Sequence, residues 1–329
     1  MTSVRPNGIM LVVGHIQAMG MNCMQYENSP DNGHWLAEIN RLRRERQAVI
    51  IAHNYQPGEV QDLADFTGDS LELSRKAAAC TAPVIVFCGV HFMAETAAIL
   101  SPDKIVLLPD PLAGCPMADM VDGPGLRALK ACHPQAHVVC YVNSSAEVKA
   151  ESDICCTSAN AVRVVASTPG EIIFVPDKHL GGWVSRQLHR ELILWNGFCP
   201  THARILPGYV QQVKQEHPDA VVFVHPESRE DVIALADETL STGGMLRAAK
   251  SSPAKEFIIA TEIGLLHRLR LENPDKRFYA ATPNASCPNM KKITLEKIAQ
   301  ALATLTPRIE VPDPIRSQAR SAITRMLEL

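Results

Sequence analysis

The chain repeats itself three times, and this constrains its fold more than any single motif does. Three apolar runs each end in a polar–x–polar triplet. VIIA leads to His53-Asn54-Tyr55, VVC to Tyr141-Val142-Asn143, and VFV to His225-Pro226-Glu227. The lead positions 53, 141 and 225 lie 88 and 84 residues apart. A hydroxyl residue follows each lead by 17 positions: Ser70, Ser158 and Thr242. Each hydroxyl opens onto a helix-forming stretch (LELSRKAAA, ANAVRVVAS, GGMLRAAKS), and a Cys-Pro pair follows 41 to 45 residues later, at Cys115-Pro116, Cys199-Pro200 and Cys287-Pro288. Further back, His133-Pro134 and His217-Pro218 each stand eight residues before their lead residue. Coincidences in one register point to a triplicated domain.

The 329 residues suffice for two or three units of about 100–150 residues each. The repeat divides them into α/β units at 34–116, 117–200 and 201–290, with C-terminal helices over 291–329 and an N-terminal extension, 1–33, expected to be mobile. Short apolar runs without polar alternation fit parallel strands covered on both faces. About three strands per unit are expected: near 48–52, 84–87 and 105–108 in the first, near Val138, Ile172 and Leu192 in the second, and near Val222, Phe257 and Phe278 in the third. The fold class is therefore α/β, three homologous small sandwiches with short parallel sheets around a pseudo-threefold axis. Helices near Thr294–Leu305 and Pro314–Leu329 are read as packing elements.

Composition excludes other classes. At 46% hydrophobic the chain is not disordered, and a net charge of −3 carries no basic excess for nucleic acid or a membrane surface. No apolar run reaches the ~18 residues of a membrane span, and residues 1–30 lack the charged start and cleavage site of a signal peptide. A cytoplasmic protein is expected, with its ten cysteines mostly reduced thiols. No C-x-x-C, H-E-x-x-H, G-x-G-x-x-G or P-loop is present, so any metal site must be assembled from distant parts of the chain.

Ligands of parallel α/β sheets bind at the carboxyl ends of the strands, where the repeated positions fall. Three units around one axis would each send one thiol and one hydroxyl to a shared centre. Thiolates suit zinc or an iron–sulfur cluster, and a four-iron cluster with three protein ligands keeps one iron open as a Lewis acid. The helical start after each Cys-Pro is expected to favour thiolate. Ser70, Ser158 and Thr242 look like N-caps, and three such helix starts could also hold a polyanionic substrate. His53, Tyr55, Tyr141, Asn143, His225 and Glu227 are acid–base and hydrogen-bonding types, Glu227 being a base if burial raises its pKa. The bland alternatives are buried core cysteines, plain helix caps and structural polar groups; the matching register weighs against them most for the cysteines. Cys23, Cys80, Cys88, Cys132, Cys140, Cys155 and Cys156 have no repeat partners and read as packing residues. RLRRER (Arg41–Arg46) reads as a solvated helix face, and Lys291-Lys292 as either phosphate contacts or surface. A zinc lyase or hydrolase using the same cysteines, and a non-enzymatic iron–sulfur sensor or scaffold, remain open on these residues alone.

The stretches AHNYQPGEVQDLADFTGDSLELSRKAA, LAGCPMAD, YVNSSAEVKAESDICCTSANA, PDKHLGG, GFCPTH, HPE, STGGM and CPNMKKITLEKI resemble the quinolinate synthase family, in order, from about His34 to Leu305. The resemblance implies three α/β domains about a central [4Fe–4S] cluster ligated by Cys115, Cys199 and Cys287. It implies condensation of iminoaspartate (iminosuccinate), supplied by L-aspartate oxidase, with dihydroxyacetone phosphate, giving quinolinate for NAD biosynthesis with loss of phosphate and two waters. It places His53, Ser70, Tyr141, Asn143, Ser158, His225, Glu227 and Thr242 around the substrate. Tyr55 and Glu227 lead the proton-transfer candidates, with His225 and Tyr141 beside them. Asn289 and Met290 stand where some members carry extra cysteines, so no redox disulfide is expected there.

Overall fold

A computed structural model describes residues 32–329; the N-terminal extension lies outside the described residues apart from its last two positions. Three four-stranded, all-parallel sheets make up the scaffold. The first contains β1 (Ala48–His53), β2 (Phe66–Gly68), β3 (Val84–Cys88) and β4 (Ile105–Leu107). The second contains β5 (His137–Tyr141), β6 (Ile154–Cys156), β7 (Ile172–Val175) and β8 (Ile193–Leu194). The third contains β9 (Val221–Val224), β10 (Glu238–Thr239), β11 (Glu256–Ala260) and β12 (Arg277–Ala280). Strand order is the same in all three: β2-β1-β3-β4, β6-β5-β7-β8 and β10-β9-β11-β12. Apolar runs such as Val84–Cys88 and Ile172–Val175 are buried at every position, as strands covered on both faces must be.

Each sheet thus has one strand more than its apolar runs announce. The additional strands, β2, β6 and β10, are two or three residues long, too short to show a period. A carboxylate in front of each holds it in place. Asp65 accepts the N–H of Ile50 at 2.8 Å, Asp153 that of Val138 at 2.7 Å, and Asp237 that of Val222 at 2.7 Å. The backbone N–H of each Asp returns a bond to the carbonyl of the same partner. These aspartates stand 12 positions after the lead residues 53, 141 and 225, a further repeat. A charge-assisted bond of this kind contributes roughly 1.5–3 kcal/mol. Asp153→Ala is expected to cost about 2 kcal/mol, read as a lower urea midpoint for the apo-protein at unchanged slope; an unaltered midpoint would show that the aspartate fills space only.

The C-terminal segment ties the sheets together. Helix Leu295–Thr304 packs on the first helix, Asn32–Glu45, and helix Ile315–Glu328 packs on Ala146–Ala150 and β6. Arg41 lies exposed between Glu38 and Glu45, whereas Arg46 binds the carbonyls of Leu302 and Ala303. Cys88, Cys140, Cys155 and Cys156 are fully buried, but Cys132 is exposed at the end of the amphipathic helix Gly123–Cys132, which corrects its reading as a packing residue. Among the described residues no helix is long and apolar enough to cross a membrane.

Candidate functional site

One cavity of about 160 Å³ lies where the strand ends of the three sheets meet. Twelve repeat-related positions line it: His53, Tyr55, Tyr141, Asn143, His225 and Glu227 from the lead triplets, the hydroxyl residues Ser70, Ser158 and Thr242, and the thiols Cys115, Cys199 and Cys287. The lead residues reach it because β1 and β5 end on His53 and Tyr141, and β9 ends one residue before His225. Connection lengths differ between sheets, yet each strand end delivers the same kind of group.

The three cysteines are free thiols in a common setting. Cys115 and Cys199 each open a helical turn, with Asp119 N–H bonded to Cys115 C=O and Ala203 N–H to Cys199 C=O. Backbone N–H groups of Met117 and Ala118 are aimed at the sulfur of Cys115, that of His202 at Cys199, and those of Asn289 and Met290 at Cys287. The third residue after the cysteine donates in all three. These donors favour thiolate, but burial is the larger effect in the metal-free protein. It pushes Cys115 up to about 12, Cys199 well above the ordinary thiol value and Cys287 upward. The expected thiolate therefore needs a metal ion to displace its proton. Three soft donors, one per sheet, lining one cavity with N–H groups aimed at sulfur fit a cluster with three protein ligands.

The hydroxyl residues are not the helix caps. Asp69 caps Ser70–Ala79, accepting from Leu71 and Glu72 N–H in a capping box, and Ser241 caps Thr242–Ser251. The middle helix, Ala161–Ser167, starts after Asn160, two residues beyond Ser158. A carboxylate or hydroxyl one residue earlier reaches the free N–H groups of the first turn better, so Ser70 and Thr242 sit at the first helical position and face the cavity. Thr242 Oγ1 accepts from Asn54 Nδ2 at 3.0 Å across two sheets.

A continuous hydrogen-bond chain crosses one wall. Tyr55 OH lies 2.6 Å from Thr261 Oγ1, which lies 2.8 Å from His202 Nε2. His202 Nδ1 is 2.7 Å from Glu227 Oε2 and 3.2 Å from Cys199 Sγ. Glu227 Oε1 accepts from Tyr141 OH at 2.5 Å and from Asn143 Nδ2 at 3.3 Å. Sequence reading missed His202 and Thr261 because neither type recurs: Ala118 and Met290 stand where the other units would carry His202. Cys199, His202 and Glu227 together form a group able to hold a metal ion, with donor atoms within 4.8 Å of one another.

Electrostatics at Glu227 run opposite to the expectation of a raised pKa. Burial alone would raise it, but His202, His225 and the Tyr141 hydroxyl outweigh burial and hold the group well below the usual carboxylate range. Burial keeps Tyr55 and Tyr141 protonated, with Glu227 adding to the effect, so both phenols stand ready as donors. Burial also depresses His53 and His225 to about 3, against a partial pull upward from Glu227. Both imidazoles are therefore neutral at physiological pH. Below the ordinary value of 6.5 the unfolded chain binds protons that the folded chain refuses, so the apo-protein loses stability as pH falls from 6.5 toward 3. Imidazole ¹⁵N shifts of the two residues should be flat across roughly pH 5–8, the window in which a free histidine titrates; a midpoint near 6.5 would contradict this burial.

Arg204 is the cation that lines the cavity, whereas the two lysines that follow the third Cys-Pro pair are committed elsewhere. Lys291 pairs with the fully buried Glu262 at 3.0 Å and donates to the Tyr55 carbonyl, while Glu262 accepts the N–H of Cys287 at 3.0 Å. Lys292 is at the surface, bonded to the Leu112 carbonyl. Neither reaches out as a free phosphate ligand.

Comparison with known proteins shows the family of the chain. A family model described as quinolinate synthetase A protein (NadA) matches residues 37–328. The chain belongs to this family of enzymes. A quinolinate synthase of Dehalococcoides mccartyi strain BAV1 is 58% identical over 293 residues, 89% of this chain and 97% of the relative. One from Geobacter metallireducens is 58% identical over 89% and 96% of the two chains, and one from Methanoregula boonei 57% identical over 89% and 97%.

Proposed function

We propose that the chain is a quinolinate synthase acting in the cytoplasm, condensing iminoaspartate with dihydroxyacetone phosphate to quinolinate with loss of phosphate and two waters. L-aspartate oxidase would supply the imine, and the product would feed NAD biosynthesis. The observation that supports this most is the single cavity in which thiols, hydroxyls and acid–base groups from all three sheets converge. Cys115, Cys199 and Cys287 would hold a [4Fe–4S] cluster. When bound, it supplies Lewis acidity toward a substrate oxygen at the iron that no cysteine occupies.

The protein's own groups account for binding and proton movement. Ser70 and Thr242, at the first turns of two ten-residue helices, offer their hydroxyls, and the first-turn N–H groups that the caps Asp69 and Ser241 leave free, to carboxylate or phosphate. Ser158 extends this surface from the second sheet. Neutral His53 and His225 donate or accept hydrogen bonds without adding charge. Tyr141 and Asn143 hold Glu227 from one side and His202 from the other, so the carboxylate is fixed and anionic before substrate arrives. Tyr55, Thr261, His202 and Glu227 give a path by which a proton taken from carbon or nitrogen can be returned to a leaving oxygen. The surrounding apolar wall, with Val90, Phe92, Met93 and Met117, limits water around the reactive imine.

The decisive experiment is anaerobic reconstitution with iron and sulfide. It is followed by quinolinate measurement with dihydroxyacetone phosphate and enzymatically generated imine. Quinolinate formation dependent on both substrates and on the cluster is expected; full activity in the metal-free protein would overturn the cluster assignment.

A further inference from the structure

We infer that Cys199, His202 and Glu227 form a mononuclear divalent-metal site that takes zinc when the cluster is absent. Two of the three residues lie outside the thiol trio, so this is a different coordination set that shares one sulfur with it. The competitive arm of the test below rests on the cluster reading; zinc binding itself does not.

The geometry carries the inference. One donor atom from each residue lies within 4.8 Å of the other two, the only such group of three among the described residues. His202 Nδ1 sits between the other two, 3.2 Å from Cys199 Sγ and 2.7 Å from Glu227 Oε2. Thiolate, imidazole and carboxylate form a zinc donor set, and three protein ligands leave a fourth position open, here toward the cavity. The remaining atoms of the ligands are already oriented. His202 Nε2 meets Thr261 Oγ1 at 2.8 Å, and Glu227 Oε1 receives Tyr141 OH and Asn143 Nδ2. Such outer contacts fix ligand direction and strengthen metal binding.

Charge and proton balance are satisfied. His202 and Glu227 are 1% and 3% exposed, so an ion between them is shielded from water. One thiolate and one carboxylate neutralise a divalent cation. The Cys199 thiol proton leaves to solvent. The imidazole stays neutral by carrying its hydrogen on Nε2, toward Thr261, instead of on Nδ1. Zinc stands above ferrous iron in affinity for mixed nitrogen, oxygen and sulfur sites, so it would compete for the metal-free enzyme. A zinc ion here withholds Cys199 from the cluster, and the two occupancies exclude each other.

The test uses the full-length apo-protein under anaerobic conditions. Zinc is titrated against a chromophoric chelator, and cobalt(II) serves as an optical probe of thiolate ligation. The wild type is expected to bind one equivalent, with a sulfur-to-cobalt charge-transfer band that Cys199→Ser loses. His202→Ala should weaken zinc binding by roughly tenfold or more while keeping its circular dichroism. Glu227→Gln, which preserves the side-chain shape, serves as the second variant should His202→Ala misfold, and should weaken binding likewise. One equivalent of zinc added first should suppress iron and sulfide uptake in the wild type but much less in His202→Ala. Zinc held equally well by these variants would assign it to the three thiols and overturn the inference, as would a wild type that assembles the cluster but binds no zinc. A wild type that binds zinc through His202 yet assembles no cluster would instead overturn the cluster reading and leave this site standing.

Discussion

Cys199→Ser protein, carried through the same anaerobic reconstitution as wild type, is expected to retain no stable four-iron cluster and to form quinolinate at least about a thousandfold more slowly. The magnitude follows from the several kcal/mol that a Lewis-acidic metal contributes to a charged transition state, at 1.36 kcal/mol per factor of ten. Serine keeps the size of the side chain but replaces a soft donor by a hard one, so the scaffold is undisturbed while the donor set drops to two thiols. Cys199 begins the short helix Pro200–Ala203 through its backbone, which serine reproduces. Iron and sulfide content, the visible absorption of the cluster and quinolinate yield report the outcome together. Wild-type rates with a depleted cluster would remove the cysteine trio from the chemistry.

Glu227→Gln should keep the cluster and lose turnover, by about 10²–10⁴-fold if the carboxylate moves a proton in the rate-limiting step. Glutamine keeps the size of the side chain and an acceptor oxygen toward Tyr141, while its amide nitrogen faces His202 Nδ1 and can only donate to it. What disappears is the anion at the centre of the chain from Tyr55 to Tyr141. Its affinity for protons is low because His202, His225 and Tyr141 outweigh burial and stabilise the anion, so under the proposed function it would hold charge beside His202 and relay protons rather than act as a lone strong base. An iron content equal to wild type with a collapsed kcat is the expected signature, and unchanged kcat would take Glu227 out of the mechanism.

Much of this architecture was legible before any coordinates. The apolar runs at 49–52, 138–140 and 222–224 mark the central strands because the residues that end them sit in one register, so the convergence of twelve groups on one cavity followed from repetition. The rest was hidden from the sequence for physical reasons. Strands β2, β6 and β10 escaped notice because two or three residues cannot display a period, although Asp65, Asp153 and Asp237 marked their starts at a constant offset. The caps shifted by one residue at Ser70 and Thr242, since neighbouring Asp69 and Ser241 are equally good capping types and only backbone geometry separates them.

Sequence by itself determined the number of sheets, the kinds of group each strand end presents, and the family. Tertiary structure alone decided how those groups act on one another. His202 and Thr261 have no repeat counterpart, and only three-dimensional packing joins Thr261, from the end of β11, to Tyr55 at one end and to Glu227 through His202 at the other. The protonation of the site was decided in the same way: burial keeps the thiols, phenols and two imidazoles uncharged, while a local set of donors keeps one carboxylate charged. Spacing along a chain records which residues recur. Proton affinity depends on the distances and solvent access around each atom, and those exist only once the three sheets have closed on one another.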